Sequence, residues 1–405
     1  MTSYNYKYLI IGGGMTADAA VHSIRQSDPK GTIGLVSSEA DPPYARPPLS
    51  KALWTGDEEL EDIDLGTNEA NITMHLGHTV TKIDRPNKKV IDEKGNKYSY
   101  SKLLLATGGI PRTLPKVEEK GIIYYRTLSD YQNLKKLVDQ NKTFGVIGGG
   151  FIGSEIAAAI KMYKPDAEVT MIFPETGICA LIFPKTLSNH LNEYYRKNNI
   201  KVMKEELVTK ITKRDKTFLV ETNSGKKLKF DTIIAGLGIK PNIKLAEEAS
   251  LEVKDGIVVN QYLQTNDPYI YAAGDVAIYY NSALDQHIRI EHEDNALMMG
   301  EIAGQNMTGK ENVFDHLSLF YSDLFDLGYE AVGILNSKLD IVEDWKEPLE
   351  EGVIYYLKEG KVQGVLLWNV WEKADEAREL IMESGPFTPE DLKGRIGTVI
   401  VNNIQ

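Results

Sequence analysis

Two stretches of this sequence carry residues spaced for chemistry on a phosphate chain. In residues 8–20, Tyr-Leu-Ile-Ile-Gly-Gly-Gly-Met-Thr-Ala-Asp-Ala-Ala, Gly12 and Gly14 fill the first two positions of a G-x-G-x-x-G/A pattern and Ala17 the third. In residues 144–155, Phe-Gly-Val-Ile-Gly-Gly-Gly-Phe-Ile-Gly-Ser-Glu, Gly148, Gly150 and Gly153 fill all three. A missing Cβ at these points lets the backbone turn tightly and approach a pyrophosphate, and the amides left free at the start of the following helix face the anion. A glycine triplet alone marks an ordinary loop. Here a buried strand precedes each triplet and a helical pattern follows it, and the device occurs twice, so each stretch reads as a turn that holds one dinucleotide.

The neighbouring elements must place the rest of such a ligand. After the first helix, which ends near Gln26, a strand over 32–36 leads to Glu39, at the distance where a carboxylate accepts hydrogen bonds from an adenosine ribose; Ser38 takes its place if the strand ends one residue early. In the second copy the strand over 168–173 ends at Glu175, which would bind the 2′-hydroxyl and repel a 2′-phosphate, favouring NAD(H) over NADP(H). The proline-stiffened run 43–51 holds Arg46 and Lys51 at little entropic cost, for contact with a pyrophosphate and a ring. A second buried strand end, Ala106-Thr107-Gly108, is small enough for backbone to lie against a flat ring system, and the run 231–242 makes a similar glycine exit containing Gly238. At 270–276 a strand ends in Gly-Asp, where Asp275 can bind a polyol such as a flavin's ribityl chain. Residues 290–295 then form an acidic start to a helix running to about Met307, whose positive end suits the N1 and O2 edge of a flavin. Glu155, on the first turn of the second nucleotide helix, is electrostatically awkward beside a pyrophosphate; a pairing with Lys51 across a domain junction would hold it there.

At 405 residues the chain exceeds the size of a single core, about 250–300 residues, so several domains are expected. The expectation is an α/β fold with two Rossmann-like dinucleotide-binding domains plus a C-terminal α+β domain. The first, residues 1–118 and 246–313, takes the first dinucleotide; residues 119–245 take the second; residues 314–405, where no nucleotide motif recurs, carry antiparallel strands and a helix over 373–383. Hydrophobic content of 42% and charged content of 26% describe a soluble globular chain, expected to be cytoplasmic, with no integral membrane segment. A net charge of −12 argues against nucleic acid. Cys179 is the sole cysteine, which rules out a C-x-x-C redox shuttle, and no metal site is expected.

The order of motifs resembles that of the two-dinucleotide flavoprotein reductases, the ferredoxin and rubredoxin reductase components and the apoptosis-inducing-factor-like proteins. The carrying residues are the two turns, Pro-Pro-Leu-Ser-Lys at 47–51, Ala-Thr-Gly at 106–108 and Gly-Asp at 274–275. Phe-Pro-Glu at 173–175, Ala-Gly-Gln-Asn-Met-Thr-Gly at 303–309, Gly-Tyr-Glu-Ala-Val-Gly at 328–333 and Leu-Trp-Asn at 367–369 point to the last group. The resemblance implies FAD held through Arg46, Lys51 and Asp275, a Lys51–Glu155 pair near flavin N5, and Glu291 and His292 beside the nicotinamide and flavin. It implies an oxidoreductase in which NADH reduces FAD and an external acceptor takes the electrons: a quinone, oxygen or a small redox protein. Two alternatives stand beside it, a reductase component serving ferredoxin or rubredoxin, and an NADH-sensing interaction protein with slow turnover; a homodimer, NADH-dependent in that case, is the expected assembly. Tyr321 stands where these families have tryptophan next to the flavin, Ala17 replaces the third glycine, and the long acidic insertion of animal apoptosis-inducing factor has no counterpart, so no death-related role is expected.

Overall fold

The computed structural model describes residues 1–115, 117 and 120–397. The expected 118/119 domain boundary and the terminal residues 398–405 lie outside the described residues.

The chain divides into two compact units, Met1–Pro47, Glu59–Ile110 and Lys240–Ser318 in one, and Pro48–Glu58, Pro111–Ile239 and Leu319 onward in the other. In the first unit, Ser3–Ile11 lies between the parallel strands Ile33–Ser37 and Lys97–Leu105, with Thr73–Leu76 beyond the former. Ile270–Ala272 pairs parallel with the end of Lys97–Leu105, and the hairpin Val80–Asp84/Lys89–Asp92 extends its beginning antiparallel. Parallel strands covered on both faces read as continuous apolar runs, and Leu9, Ile10, Leu103 and Leu104 are fully buried. The helices Met15–Ser27 and Glu293–Met307 pack closely on one another. Small residues permit this: a Cβ added to Gly300 would stand 2.4 Å from the Thr16 carbonyl oxygen, and one on Gly304 2.7 Å from that of Ala20.

The second unit repeats the plan. Its parallel sheet runs Ile200–Met203, Glu168–Ile172, Thr143–Ile147, Thr232–Ala235, Ile123–Tyr124, and the helix Phe151–Tyr163 follows the central strand. The helix Leu128–Gln140 starts where it does because Thr127 and Asp130 form a reciprocal capping box. Four elements lie outside the expectations: the helix Lys185–Lys197 and the antiparallel strands Val208–Arg214, Thr217–Thr222 and Lys227–Phe230. The C-terminal residues form a five-stranded antiparallel sheet, Leu319–Leu324, Leu327–Gly333, Lys361–Trp368, Glu351–Lys358, Asp340–Glu347, with the helix Ala374–Met382 packed on it.

The C-terminal sheet and helix have the expected α+β character and fall within the second compact unit. Aromatic contacts explain this: Phe320 meets Phe151 edge-on at 5.9 Å, and Phe183 meets Tyr329 at 5.2 Å and Trp368 at 5.7 Å. Pro48–Glu58, expected with the first domain, also joins the second unit, since Trp54 packs edge-on against Tyr131 and Tyr163 at 5.5 and 5.8 Å.

Candidate functional site

In the first unit the strand Ser3–Ile11 hands over to the helix Met15–Ser27 through Gly12, whose φ of +130° favours glycine. A Cβ there would stand 2.0 Å from the Ala106 carbonyl oxygen. Gly12 therefore lets the turn lie against the expected ring-facing strand end, while Ala17 is fully buried without displacing anything. The helix begins at Gly14 in extended geometry with no side-chain cap, so its first amides keep their hydrogen-bonding capacity for an outside acceptor. The Arg46 guanidinium lies in front of that start: its Nε is the nearest atom to a Cβ placed on Gly14, at 3.8 Å. A cation before an uncapped helix N-terminus fits a pyrophosphate.

Glu39 lies two residues past its strand, and its carboxylate is engaged within the protein. Arg46 Nη2 donates to Oε1 and the Tyr44 hydroxyl donates to Oε2 at 2.6 Å. Arg46 also donates to the Tyr44 hydroxyl at 3.1 Å and lies over its ring. Asp275 sits in the short turn Gly274–Val276; Arg289 donates to its backbone oxygen at 3.1 Å and to the Glu291 carboxylate at 2.6 Å. Arg289 thus ties Glu291 to the Asp275 turn. His292 caps the helix Glu293–Met307 without a side-chain cap bond; burial pushes its pKa down from 6.5 to about 4, with Asp275 and Asp294 opposing the shift. Near neutral pH the ring is therefore uncharged, able both to donate and to accept a hydrogen bond. Thr107 Oγ1 donates to the Asn242 backbone oxygen at 3.0 Å, and Gly108, at φ +59°, accepts from the Asn242 amide at 2.9 Å, which stitches the expected ring-facing end in place.

In the second unit Gly148 plays the part of Gly12: its φ is +117° and an added Cβ would stand 2.2 Å from the Gly236 oxygen. Gly153 has the stricter role, because a Cβ on it would stand 2.2 Å from the Gly148 oxygen and force the turn open. Gly150 starts the helix uncapped and exposed, with nothing within 4 Å of its Cβ position, which leaves room for an anion. Glu175 follows the second strand, half-buried, and its carboxylate has no hydrogen-bonding partner among the described residues; its backbone oxygen accepts from the Glu205 amide at 3.0 Å. Gly238, at φ +76°, accepts from the Arg112 amide at 2.9 Å.

Lys51 and Glu155 meet at 2.8 Å, Nζ to Oε1. The contact was expected across a domain junction; both residues instead belong to the second unit, because Pro48–Glu58 packs there. Backbone on either side of Lys51 is clamped. The Leu49 oxygen accepts from Trp54 Nε1 at 2.7 Å and from the Tyr125 hydroxyl, and the Leu53 oxygen from the Tyr131 hydroxyl at 3.0 Å. Sequence reasoning missed two partners of Glu155: Ser50 Oγ donates to Oε2 at 2.5 Å and Ser322 Oγ to Oε1 at 2.6 Å. Ser50 was marked only by adjacency to Lys51; no sequence signal marked Ser322. Tyr321 is 41% exposed, and its ring centroid lies 5.5 Å from Lys51 Nζ. Cys179 is buried and its thiol is pushed up to about 12 by burial, with Glu155 adding to the rise, so it is no nucleophile near neutral pH.

Two uncapped glycine turns, each followed by a carboxylate at a strand end, define a two-dinucleotide α/β protein. Residues 6–300 match the family described as pyridine nucleotide-disulphide oxidoreductase, and the chain belongs to that family. Residues 303–348 and 342–383 match the C-terminal domain described as apoptosis-inducing factor, mitochondrion-associated. The chain's cofactors are FAD and NAD(H), and its class of activity is that of an NADH-dependent flavoprotein oxidoreductase. Among similar proteins, apoptosis-inducing factor 1, mitochondrial, of Dictyostelium discoideum is 35% identical over 96% of this chain and 80% of its own length. Putidaredoxin reductase of Pseudomonas putida is 30% identical over 95% of this chain and 94% of its own. The crystal structure of a covalent putidaredoxin reductase–putidaredoxin complex superposes with a TM-score of 0.87 at 29% identity, covering 96% of this chain and 95% of that one.

Proposed function

We propose that this chain takes reducing equivalents from NADH onto FAD and passes them to an acceptor outside the chain: a quinone, oxygen or a small redox protein. The observation that carries this reading is the pair of glycine turns, each opening on an uncapped helix N-terminus. When bound, FAD supplies the hydride-accepting ring and a means of releasing electrons onward. The protein's own residues then bind and position. The Gly14 helix start and Arg46 would hold the FAD pyrophosphate, with Glu39 or Ser38 at the ribose; Asp275 would hold the ribityl chain; the Gly150 helix start and Glu175 would hold NADH. Lys51, held by Glu155, would be the cation serving the flavin ring, and His292, uncharged near neutral pH, would be able to offer it a hydrogen bond. Hydride transfer needs alignment rather than a nucleophile, so positioning is the main contribution of these groups.

With Cys179 the only thiol, no disulfide within the chain can relay electrons, and the acceptor must come from outside. A second reading, a reductase component serving an iron–sulfur or rubredoxin-type protein, is favoured by the whole-length similarity to putidaredoxin reductase. The test is reduction of the purified FAD-loaded protein with NADH under nitrogen, followed by mixing with a quinone, with oxygen and with a small iron–sulfur protein. Fast reoxidation by a quinone or oxygen supports the first reading, and fast reoxidation by the iron–sulfur protein alone narrows it to the second. Failure of NADH to bleach the flavin refutes both. Slow reoxidation by every acceptor together with a change in oligomer size would instead favour an NADH-sensing dimer.

A further inference from the structure

We propose that Ser322 is a positioning residue for Lys51, acting through Glu155, and that Ser50 completes the same lock on the other carboxylate oxygen. The inference rests on the reading of Lys51 as a flavin-side residue. Glu155 is 4% exposed, and a buried carboxylate is tolerated only when paired and hydrogen-bonded. Lys51 alone would satisfy part of one oxygen. The structure adds Ser322 at 2.6 Å on the oxygen that Lys51 uses, and Ser50 at 2.5 Å on the other.

Sharing one oxygen has a geometric result. The terminal torsion of a glutamate is broad, so a carboxylate held by one flexible lysine swings with it. Donors arriving from Ser50, Lys51 and the strand Leu319–Leu324 remove that freedom, and the ammonium is then held against a fixed partner. The same strand bounds the ammonium directly through the Tyr321 ring, 5.5 Å away. Consecutive residues of this C-terminal strand therefore reach Lys51 by two routes, one through Glu155 and one through an aromatic face. The C-terminal sheet takes part in setting the lysine.

The experiment compares full-length wild type, S322A, S322T, S50A, K51A and the K51A/S322A double variant by two measurements. One is the rate of flavin bleaching by NADH under nitrogen. The other is the rate at which an amine-reactive ester acylates Lys51, read by peptide mass spectrometry. Loss of one hydrogen bond to a charged group predicts about tenfold slower bleaching in S322A, with recovery in S322T. Lys51 should be acylated several-fold faster in S322A and S50A than in wild type. In the K51A background, removing Ser322 should change bleaching no further. Wild-type bleaching and labelling in S322A, or an undiminished loss in the K51A background, would overturn the proposal. If S322A does not fold, wild-type rates of both kinds in S50A overturn it instead. A wild-type protein that NADH fails to bleach refutes the proposed function, while the labelling rates still decide the role of Ser322.

Discussion

The two nucleotide turns share a design and differ in what surrounds it. Gly12 and Gly148 have positive φ and back onto a carbonyl oxygen of the neighbouring strand end, Ala106 in one and Gly236 in the other. At the third position they part. Ala17 is buried without a clash, whereas a Cβ on Gly153 would collide with the Gly148 oxygen. The carboxylates differ too, since Glu39 is engaged by Arg46 and Tyr44 while the Glu175 side chain is unpartnered among the described residues. Both helices also carry an acid near their N-terminus at adjacent positions of the pattern, Asp18 within its first turn and Glu155 just beyond its own. In the first turn Asp18 binds Thr67 at 2.5 Å and His22 at 3.2 Å, while in the second Glu155 binds Lys51 and two serines. The glycines make two cradles alike, and the acid one residue further along the second helix gives that turn a lysine to hold.

The comparison can be broken most severely at the positive-φ glycines. G12A should abolish FAD binding, giving a colourless protein, while G148A should leave the protein yellow but unresponsive to NADH; a visible spectrum before and after NADH reads both. The strained φ alone costs about 1–2 kcal/mol, and the carbonyl collision adds to it. Exchanging the third positions is next. G153A should weaken NADH binding at least about tenfold, since the turn must open, whereas A17G should keep FAD and cost about 0.5–1 kcal/mol in thermal or denaturant stability. NADH titration and melting curves decide whether the two turns are as unequal as the structure makes them.

Smaller effects sharpen the contrast between carboxylates. E175A should lower the preference for NADH over NADPH by roughly tenfold, the value of a lost charge-assisted hydrogen bond plus relief of repulsion. Unchanged selectivity would mean that the ribose is held elsewhere. The least effect concerns His292. Burial lowers its folded pKa to about 4 from 6.5, so between those values the unfolded chain binds a proton that the folded chain does not. Stability from this group is therefore complete above about 6.5 and is lost as pH falls toward about 4. The wild-type melting temperature should accordingly drop more over that interval than that of H292N; equal slopes would contradict it.

Local pattern made the nucleotide turns legible. A buried apolar strand, a glycine triplet and an amphipathic helix are contiguous, so residues within about twenty positions specify the cradle and its carboxylate. The Lys51–Glu155 contact could be suggested because a carboxylate next to an anion site needs a cation. Its place within one compact unit could not, because that depends on Trp54 packing against Tyr131 and Tyr163. The antiparallel strands of 208–230 were missed since their short alternation, broken by lysines, resembles exposed loop.

The sequence by itself determined two dinucleotide cradles, the exclusion of an internal disulfide and the acidic partner of Lys51, because each depends on residue type or on neighbours along the chain. Tertiary structure alone decided how Glu155 is held. Its donors come from 104, 105 and 167 residues away, and hydrogen bonds over such separations are set by how strands and helices pack, which no local periodicity records.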